Sequence, residues 1–292
     1  MGENRKFLIS TDGTADLNDD YCEKNGIFVH PLYYFLEDKP YGGPDGEKIE
    51  YSEYYRLMRE DKRVSTAANN PDSYSKIFTS QVEQGMDILH FSFSSGLSSL
   101  HDNARIAANE VMEEHPEAKI IVFDSLSCSA GQGLMIHYAN KLREEGKTLE
   151  ETVEWLTENR LKFCHEFTVE HLKYLQRGGR VSKAAAIVGT LINVKPVLHV
   201  DDEGHLVPVF NVRGRKKALT SLVDNMEKHI DRDRCDTVFI GHADALEDAQ
   251  FVGNLVTERF GITNISYSYI SYLVGTHAGP GTIALFYIGK ER

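Results

Sequence analysis

A histidine near the end of the sequence is the first residue whose setting suggests chemistry. His277 lies in the stretch VGTHAGPG, residues 274–281, among three glycines, and an apolar run follows at 283–288. The glycines permit a tight backbone turn, and the apolar run predicts a buried strand. An imidazole titrates near neutral pH, so the ring is a candidate functional group. The alternative is a core histidine whose hydrogen bonds are satisfied internally.

Three clusters of hydroxyl residues come where a strand should give way to a loop or helix. They are STDGTADL (10–17), VSTAANNP (64–71) and FSFSSGLSS (91–99). In open α/β sheets that edge is where ligands bind, and hydroxyls beside a helix N-terminus can hold an anion. The alternative is local structure, in which Ser95 and Ser98 cap the next helix and Asp12 and Asp16 close an Asx turn.

Two basic, glycine-containing stretches stand out in an otherwise acidic chain. YLQRGGRVSKAAA (174–186) carries Arg177 and Arg180, and NVRGRKKAL (211–219) carries Arg213 and Arg215. Cations are less favourable at a helix N-terminus than at its C-terminus. Their position therefore indicates a function such as binding an acidic partner or a phosphate. The alternative is that these cations only form a solvated surface.

The sequence signatures of common chemistries are absent. There is no G-x-x-x-x-G-K-[ST] phosphate loop, no G-x-G-x-x-G after the first strand and no G-x-S-x-G elbow. The twelve histidines are scattered, so no metal site is expected. Cys128, in SLSCSAG, resembles a nucleophile at a sharp turn only weakly, and a packing thiol is the better interpretation.

Charge and composition exclude several classes of protein. The net charge of -12 disfavours a nucleic-acid binder, because the phosphate field would repel it. The four cysteines lie far apart, without C-x-x-C, which indicates reduced thiols and a cytoplasmic protein. The N-terminus has no apolar signal core, and no apolar run is long enough to cross a membrane.

The order of predicted elements indicates an α/β protein of two domains. Residues 1–148 alternate strands and helices, which predicts βαβ units and a parallel sheet. A single strand is expected over 26–36, and a strand buried on both faces in AKIIVFDS (118–125). A capping-box spacing at Thr148 begins the second domain, residues 149–292. This domain is expected to contain a mixed sheet, with an apolar helix over 181–194 and a hairpin across DDEG (201–204).

Six motifs, in this order, closely resemble the DegV family of bacterial fatty-acid-binding proteins. They are STDGTADL, SSGLSS, YLQRGGRVSKAAAIVGTLINVKPVL, VRGRKKAL, GHADA and GTHAGPG, and the similarity extends from about residue 7 to residue 288. The resemblance implies a two-domain DegV-like α/β fold, an N-terminal parallel sheet and a C-terminal mixed sheet, with one long-chain fatty acid between them. The ligand would be an acid such as palmitate, stearate or oleate, and no cofactor is expected.

The resemblance also implies a role that is not that of a stand-alone enzyme. Characterised members present the acyl carboxylate to the separate ATP-binding subunit of a fatty acid kinase, which makes acyl-phosphate for phospholipid synthesis. Transient contact with a membrane surface is a further expectation, and no nucleic-acid partner is expected. The rival function is a small-molecule phosphotransferase, since the family's fold resembles that of dihydroxyacetone kinases. A transcriptional or signalling module is a third alternative.

The family's functional residues can be carried over by motif. The head-group threonine falls on Thr66 or its neighbour Ser65, and the serine of the S-S-G turn falls on Ser95 or Ser94. The glycine-histidine turn supplies His277 with Gly275 and Thr276, Arg180 supports this network, and Arg213 and Arg215 match a kinase-binding stretch. One departure concerns the family's T-T-S-Q-P-S loop, which reads STAANN (65–70) here. The apolar stretch AAAIVGTLINV (184–194) suits a wall beside the hydrocarbon tail, or ordinary core packing.

Overall fold

The protein, seen in a computed structural model, is described for residues 6–44, 46–181 and 193–292. Its strands, numbered in chain order, are β1 Phe7–Asp12, β2 Ile27–His30, β3 Tyr33–Leu36, β4 Lys39–Gly42, β5 Val64–Thr66, β6 Asp87–Ser92, β7 Ile120–Asp124, β8 Phe163–Thr168, β9 Val194–Val200, β10 Leu206–Arg213, β11 Thr237–His242, β12 Asn264–Tyr269 and β13 Ile283–Ile288.

The α-helices of the described residues are numbered in the same way. They are α1 Asp19–Asn25, α2 Tyr51–Arg59, α3 Pro71–Val82, α4 Leu100–Glu114, α5 Ala130–Glu144, α6 Leu149–Asn159, α7 Lys173–Arg177, α8 Arg215–His229, α9 Leu246–Phe260 and α10 Tyr272–Ala278. A 3-10 turn, Arg160–Lys162, connects α6 to β8.

Two main sheets confirm the predicted α/β fold class. The N-terminal sheet has the order β2-β1-β6-β7, and every neighbouring pair in it is parallel. The C-terminal sheet has the order β10-β9-β8-β13-β11-β12 and is mixed, because only β11 and β12 are parallel. The predicted hairpin across DDEG is the β9–β10 pair. Helix α5 packs against β8, β11 and β13 and so links the two halves of the chain.

The predicted strand over 26–36 is wrong, because the chain divides at Pro31. Proline has no backbone N–H and cannot continue a hydrogen-bonded ladder. The segment before it is β2, at the edge of the parallel sheet, and the segment after it is β3, in a separate antiparallel sheet of order β4-β3-β5. This small sheet and α2 form a unit of residues 33–44 and 46–66, here named the β3–β5 unit.

Two further expectations also need correction. Strand β7 is the edge of its sheet, so Ile121 and Val122 are partly exposed instead of buried on both faces. His277, which was expected on a tight turn, lies instead in the last turn of a helix, α10, whose N-cap is Ser271. The tight turn comes after that helix, where Gly279 and Gly281 have φ angles of 85° and 79°.

The capping box predicted at Thr148 is confirmed. The Glu151 backbone N–H donates to Thr148 Oγ1 at 3.1 Å, and the Thr148 N–H donates to Glu151 Oε2 at 2.9 Å. The domain boundary at 148/149 itself stays a prediction. Of the apolar helix expected over 181–194, residues 182–192 lie outside the described residues. In the described ranges, no helix has both the length and the apolar character needed to cross a bilayer.

Candidate functional site

A cavity of about 200 Å³ lies between the two main sheets. On one side it is bounded by segments that follow β1, β2, β5, β6 and β7, and on the other by side chains of β8 and β13. The apolar side chains that line it are Leu32, Phe93, Leu97, Leu100, Phe167, Leu175, Val200, Leu206, Ile270, Leu273, Val274 and Phe286. Such a surface suits a hydrocarbon ligand, because apolar burial is the main favourable term in binding one.

Thr66 and His277 meet on the cavity wall. Thr66 ends β5, and His277 is in the last turn of α10, yet Thr66 Oγ1 and His277 Nε2 lie 3.1 Å apart. Both line the cavity, and Ala67 and Ala68 continue the lining from Thr66. This pair therefore places a hydroxyl and an imidazole at one part of an otherwise largely apolar surface.

Burial keeps the imidazole of His277 neutral. Desolvation is the larger cause and the positive charge of Arg180 the smaller, and together they lower its pKa to about 4. The Arg180 guanidinium also lines the cavity, donating through Nε to the Leu97 carbonyl at 3.3 Å and through Nη1 to the Gly178 carbonyl. The site therefore combines a neutral ring with a fixed positive charge, which suits the binding of an acid group.

Gly178 makes room for the His277 ring. A Cβ added at position 178 would clash with Nδ1 of His277, and it would lie 3.2 Å and 3.3 Å from two ring carbons. The next residue, Gly179, has a φ of 71°, a left-handed backbone conformation that glycine adopts more easily than other residues. Gly178 thus lets the backbone pass close to the His277 ring, and Gly179 lets the backbone turn directly afterwards.

Tyrosines of the β3–β5 unit hold helix α10 in place. Tyr54 Oη lies 2.6 Å from Thr276 Oγ1, and Tyr55 Oη donates to the Ile270 carbonyl at 2.6 Å. Gly275 packs directly against Tyr55, so that a Cβ there would clash with the phenol oxygen. Thr276 also donates to the Tyr272 carbonyl at 2.6 Å. Gly275 and Thr276 therefore position α10 and do not line the cavity.

Asp16 ties the first loop to the start of α10. Its carboxylate accepts from the Ser271 backbone N–H at 3.0 Å through Oδ1 and from the Ser129 hydroxyl through Oδ2. Burial raises the pKa of Asp16 to about 7. Ser271 in turn caps α10 by accepting from the Val274 N–H at 3.5 Å. Asp16 thus helps to fix the helix that bears His277.

Comparison of the amino-acid sequence with known protein families shows which family this chain belongs to. Residues 6–290 match the family described as uncharacterised protein, DegV family. The chain belongs to the DegV family. A DegV domain-containing protein of Clostridium perfringens is 35% identical over 288 residues, which cover 99% of both chains. Another, of Lactococcus lactis, is 34% identical over 285 residues and covers 98% of both chains.

Solved structures share the fold over nearly the whole chain. A stearic-acid-binding protein from Eubacterium ventriosum has a TM-score of 0.88 and 27% identity, with 97% of this chain and 98% of that one covered. A DegV family protein from Thermus thermophilus, described for its fatty acid binding, has a TM-score of 0.85 and 27% identity, with coverage of 97% and 99%. A DegV lipid-binding protein from Thermotoga maritima has a TM-score of 0.85 and 28% identity, with coverage of 98% and 99%.

The serines that the DegV resemblance assigns to the head group are not in the cavity lining. Ser94 is buried, and its hydroxyl donates to the Gly204 carbonyl at 2.9 Å, while Ser95 is exposed. The lining contains Ser98 and Ser99 from the same turn instead. Ser65 is also exposed, because alternate residues of β5 point to opposite faces and Thr66 takes the cavity side.

Arg213 and Arg215, for which the sequence resemblance implies contact with a kinase partner, have different surroundings. Arg213 is exposed at the end of β10. Arg215 Nε donates to Asp248 Oδ2 at 2.8 Å, and its Nη2 donates to the Gly281 carbonyl at 2.6 Å. Arg215 therefore fixes the turn between α10 and β13, whereas Arg213 is accessible to a partner.

Sequence reasoning missed Gly178, Tyr54, Tyr55 and Asp16 as supports of the DegV site. Only the paired glycines of RGGR carried a visible signal, since glycine often marks a close backbone approach. The tyrosines act across more than 200 residues of sequence, and no local pattern reports such contacts. In the described ranges, no group of three or more His, Cys, Asp or Glu side chains could hold a metal ion.

Proposed function

We propose that this protein binds one long-chain fatty acid in the cavity between its two main sheets, with the acid group at Thr66 and His277. What supports the proposal is one arrangement, an apolar cavity that carries a hydroxyl and a neutral imidazole beside a guanidinium. The relative from Eubacterium ventriosum, which is described as binding stearic acid, adds support.

The hydrocarbon tail supplies most of the binding free energy. A saturated sixteen-carbon acid has about fourteen methylenes, and each contributes about 0.8 kcal/mol when buried. The total is on the order of 11 kcal/mol before the costs of association are subtracted. The polar groups therefore act mainly by placing the acid end, since a carboxylate removed from water needs donors or a proton.

The head-group site suits a carboxylate for two reasons. Thr66 offers a hydroxyl donor, and neutral His277 offers one ring N–H. The Arg180 charge, close enough to lower the pKa of His277, would be compensated by the incoming anion. Roles for Ser65, Ser94 and Ser95 in this contact stay predictions, and the positions of their side chains make Thr66 the first candidate.

The bound acid is proposed to be presented to the ATP-binding subunit of a fatty acid kinase, which would form the acyl-phosphate. The basis is the DegV resemblance, together with the exposure of Arg213 beside the anchored Arg215. In this proposal the chain is an accessory lipid-binding subunit. A cytoplasmic location and transient contact with a membrane surface belong to the same proposal.

Mass spectrometry of the co-purified lipid tests the first part. Protein from a bacterial host is extracted with organic solvent, and the fatty acid is quantified against the protein. We expect about one long-chain acid per chain, because the cavity carries one proposed head-group pair, Thr66 and His277. Absence of bound acid, together with no uptake of added palmitate or oleate, would contradict the proposal. ATP turnover by the isolated chain would favour the phosphotransferase instead.

A further inference from the structure

A second cavity, of about 330 Å³, lies against the mixed sheet and is lined by different residues. Its walls come from β8, β9, β10, β13, α8 and the last residue, Arg292. Alternate residues of β8 separate the two cavities, since Phe167 lines the first and Cys164 and Glu166 line the second. On β13, Phe286 likewise faces the first cavity and Tyr287 the second.

Polar groups are buried in this second cavity. Tyr287 is fully buried, and its hydroxyl lies beside the Cys164 thiol and the Glu166 carboxyl without a well-aligned hydrogen bond to either. Glu166 is also buried, and its Oε2 accepts from Asn225 Nδ2 at 3.0 Å. Burial raises the pKa of Glu166 to about 7, so near neutral pH its carboxyl is partly protonated. A buried hydroxyl without a partner is costly, unless a bound water or ligand satisfies it.

Two cationic side chains, Lys228 and Arg292, border the same cavity. Lys228 Nζ donates to Asn225 Oδ1 at 3.1 Å, and the Arg292 guanidinium donates to backbone carbonyls, including Phe163 at 3.2 Å and Leu126 at 2.9 Å. Neither cation forms an ion pair with a carboxylate side chain of the described residues. The charge of Lys228 does act on Glu166, where it opposes the rise in pKa that burial causes, but no direct ion pair forms between the two.

We propose that this second cavity binds a small oxyanion of the size of phosphate or sulfate. Lys228 supplies the charge, and the Tyr287 hydroxyl, which forms no well-aligned hydrogen bond within the described residues, supplies a donor. His199 and His229, which also line the cavity, are further donors. The protonated carboxyl of Glu166 donates as well, so that anion binding favours proton uptake there.

This site is independent of the proposed fatty acid site. Among the residues that line the two cavities in the described ranges, only His165 borders both. Its Nε2 is hydrogen-bonded to Ser127 Oγ at 2.5 Å. An oxyanion in the second cavity would touch none of Thr66, Arg180 and His277. Its binding can therefore succeed or fail whatever ligand the first cavity takes.

Titration with sodium sulfate, followed by NMR of the histidine rings, tests the proposal. Sulfate replaces chloride at constant ionic strength, because sulfate keeps its charge across the pH range used. We expect the ring signals of His199 and His229 to move saturably, while that of His277 stays fixed. Shifts that are absent, or that chloride reproduces, would overturn the proposal.

Two variants and a matched control give the test its specificity. Lys228→Met should weaken sulfate binding roughly tenfold, the size of a lost charge-assisted hydrogen bond. Tyr287→Phe should also weaken it, and this change keeps the ring that packs in the core. Lys217→Met removes the same charge from an exposed position of α8 outside the cavity and should leave sulfate binding unchanged. Equal weakening by Lys217→Met would mean that only the general charge matters.

The pH dependence gives a further check. The titratable groups that share the cavity with Glu166 are Cys164, His165, His199, Lys228, His229, Tyr287 and Arg292. Sulfate should bind more tightly at about pH 6 than at about pH 8, because Glu166 gains a proton as the pH falls. Binding that is stronger at the higher pH would contradict the assignment of the site.

Discussion

Thr66 Oγ1 and His277 Nε2 lie 3.1 Å apart, although 211 residues of sequence separate them. The contact joins the small β4-β3-β5 sheet to helix α10. It exists because the tyrosines of the β3–β5 unit bond to α10 on one side, while Gly178 leaves space for the ring on the other. The proposed head-group site is therefore assembled from three segments that are remote in sequence.

Two threonine variants should distinguish a residue that contacts the fatty acid from a residue that only holds helix α10 in place. Thr66→Val removes the hydroxyl on the cavity wall, and we expect fatty acid affinity to fall by about fivefold to tenfold, the effect of about 1 kcal/mol. Thr276→Val removes a buried hydroxyl that contacts Tyr54 and the Tyr272 carbonyl. It should lower the free energy of unfolding by about 1–3 kcal/mol and change the affinity little.

Displacement of a fluorescent fatty acid measures the affinities, and urea unfolding measures the stabilities. The two variants are matched in chemistry, since each replaces a threonine by its isostere. If Thr276→Val weakened binding as strongly as Thr66→Val, the assignment of Thr276 to support instead of ligand contact would be wrong.

The protonation of His277 should differ from that of an exposed histidine. Its pKa is lowered to about 4 by burial first and by Arg180 second. We expect its ring resonances to stay constant from about pH 8 to about pH 5.5 and to titrate only below that. The unfolded chain takes up this proton near its ordinary pKa of about 6.5, so the stability contributed by neutral His277 is lost as the pH falls from there toward 4.

The same NMR titration on the lipid-bound protein adds a test of the head-group site. A carboxylate placed beside His277 should raise its pKa, because an opposite charge favours the protonated ring. A pKa that is unchanged by bound palmitate would place the acid group elsewhere in the cavity.

The fold could be predicted from the sequence further than the site could. Strand–helix alternation and capping signals are local, which is why the N-terminal parallel sheet and the Thr148 capping box could be predicted from the sequence. The division at Pro31 was missed because an apolar run on both sides of the proline concealed it. The small sheet was not predicted either, because β4 and β5 are only four and three residues long and show little alternation of apolar and polar residues.

Motif matching predicted Thr66, Arg180 and His277 as site residues, and all three line the first cavity, but it could not assign every role. Gly275 and Thr276 stand beside His277 in sequence, yet a helix turns them away from the cavity and toward Tyr54 and Tyr55. Ser65 and Thr66 were left as alternatives because the direction of side chains in a short strand depends on its register. These outcomes depend on packing between distant segments, which local sequence does not report.

Removing the charge of Arg180 should shift the pKa of His277. In Arg180→Gln the repulsion between the guanidinium and the imidazolium disappears, so the pKa should rise above that of the wild type. It should stay below the ordinary value of about 6.5, because burial is the larger cause and remains. Lys173→Gln, a change at a partly exposed cation paired with Asp61, is the control and should have no effect on His277.

Gly178 provides a test of the space that the His277 ring needs. Gly178→Ala would set a methyl group against Nδ1, so we expect the ring to be displaced from Thr66 and the stability to fall by about 1–3 kcal/mol. In a His277→Ala background the clash no longer exists, and the same change at position 178 should cost much less. A double-mutant cycle by urea unfolding measures this coupling. Equal costs in both backgrounds would show that position 178 rejects a side chain for backbone reasons and not because of the ring.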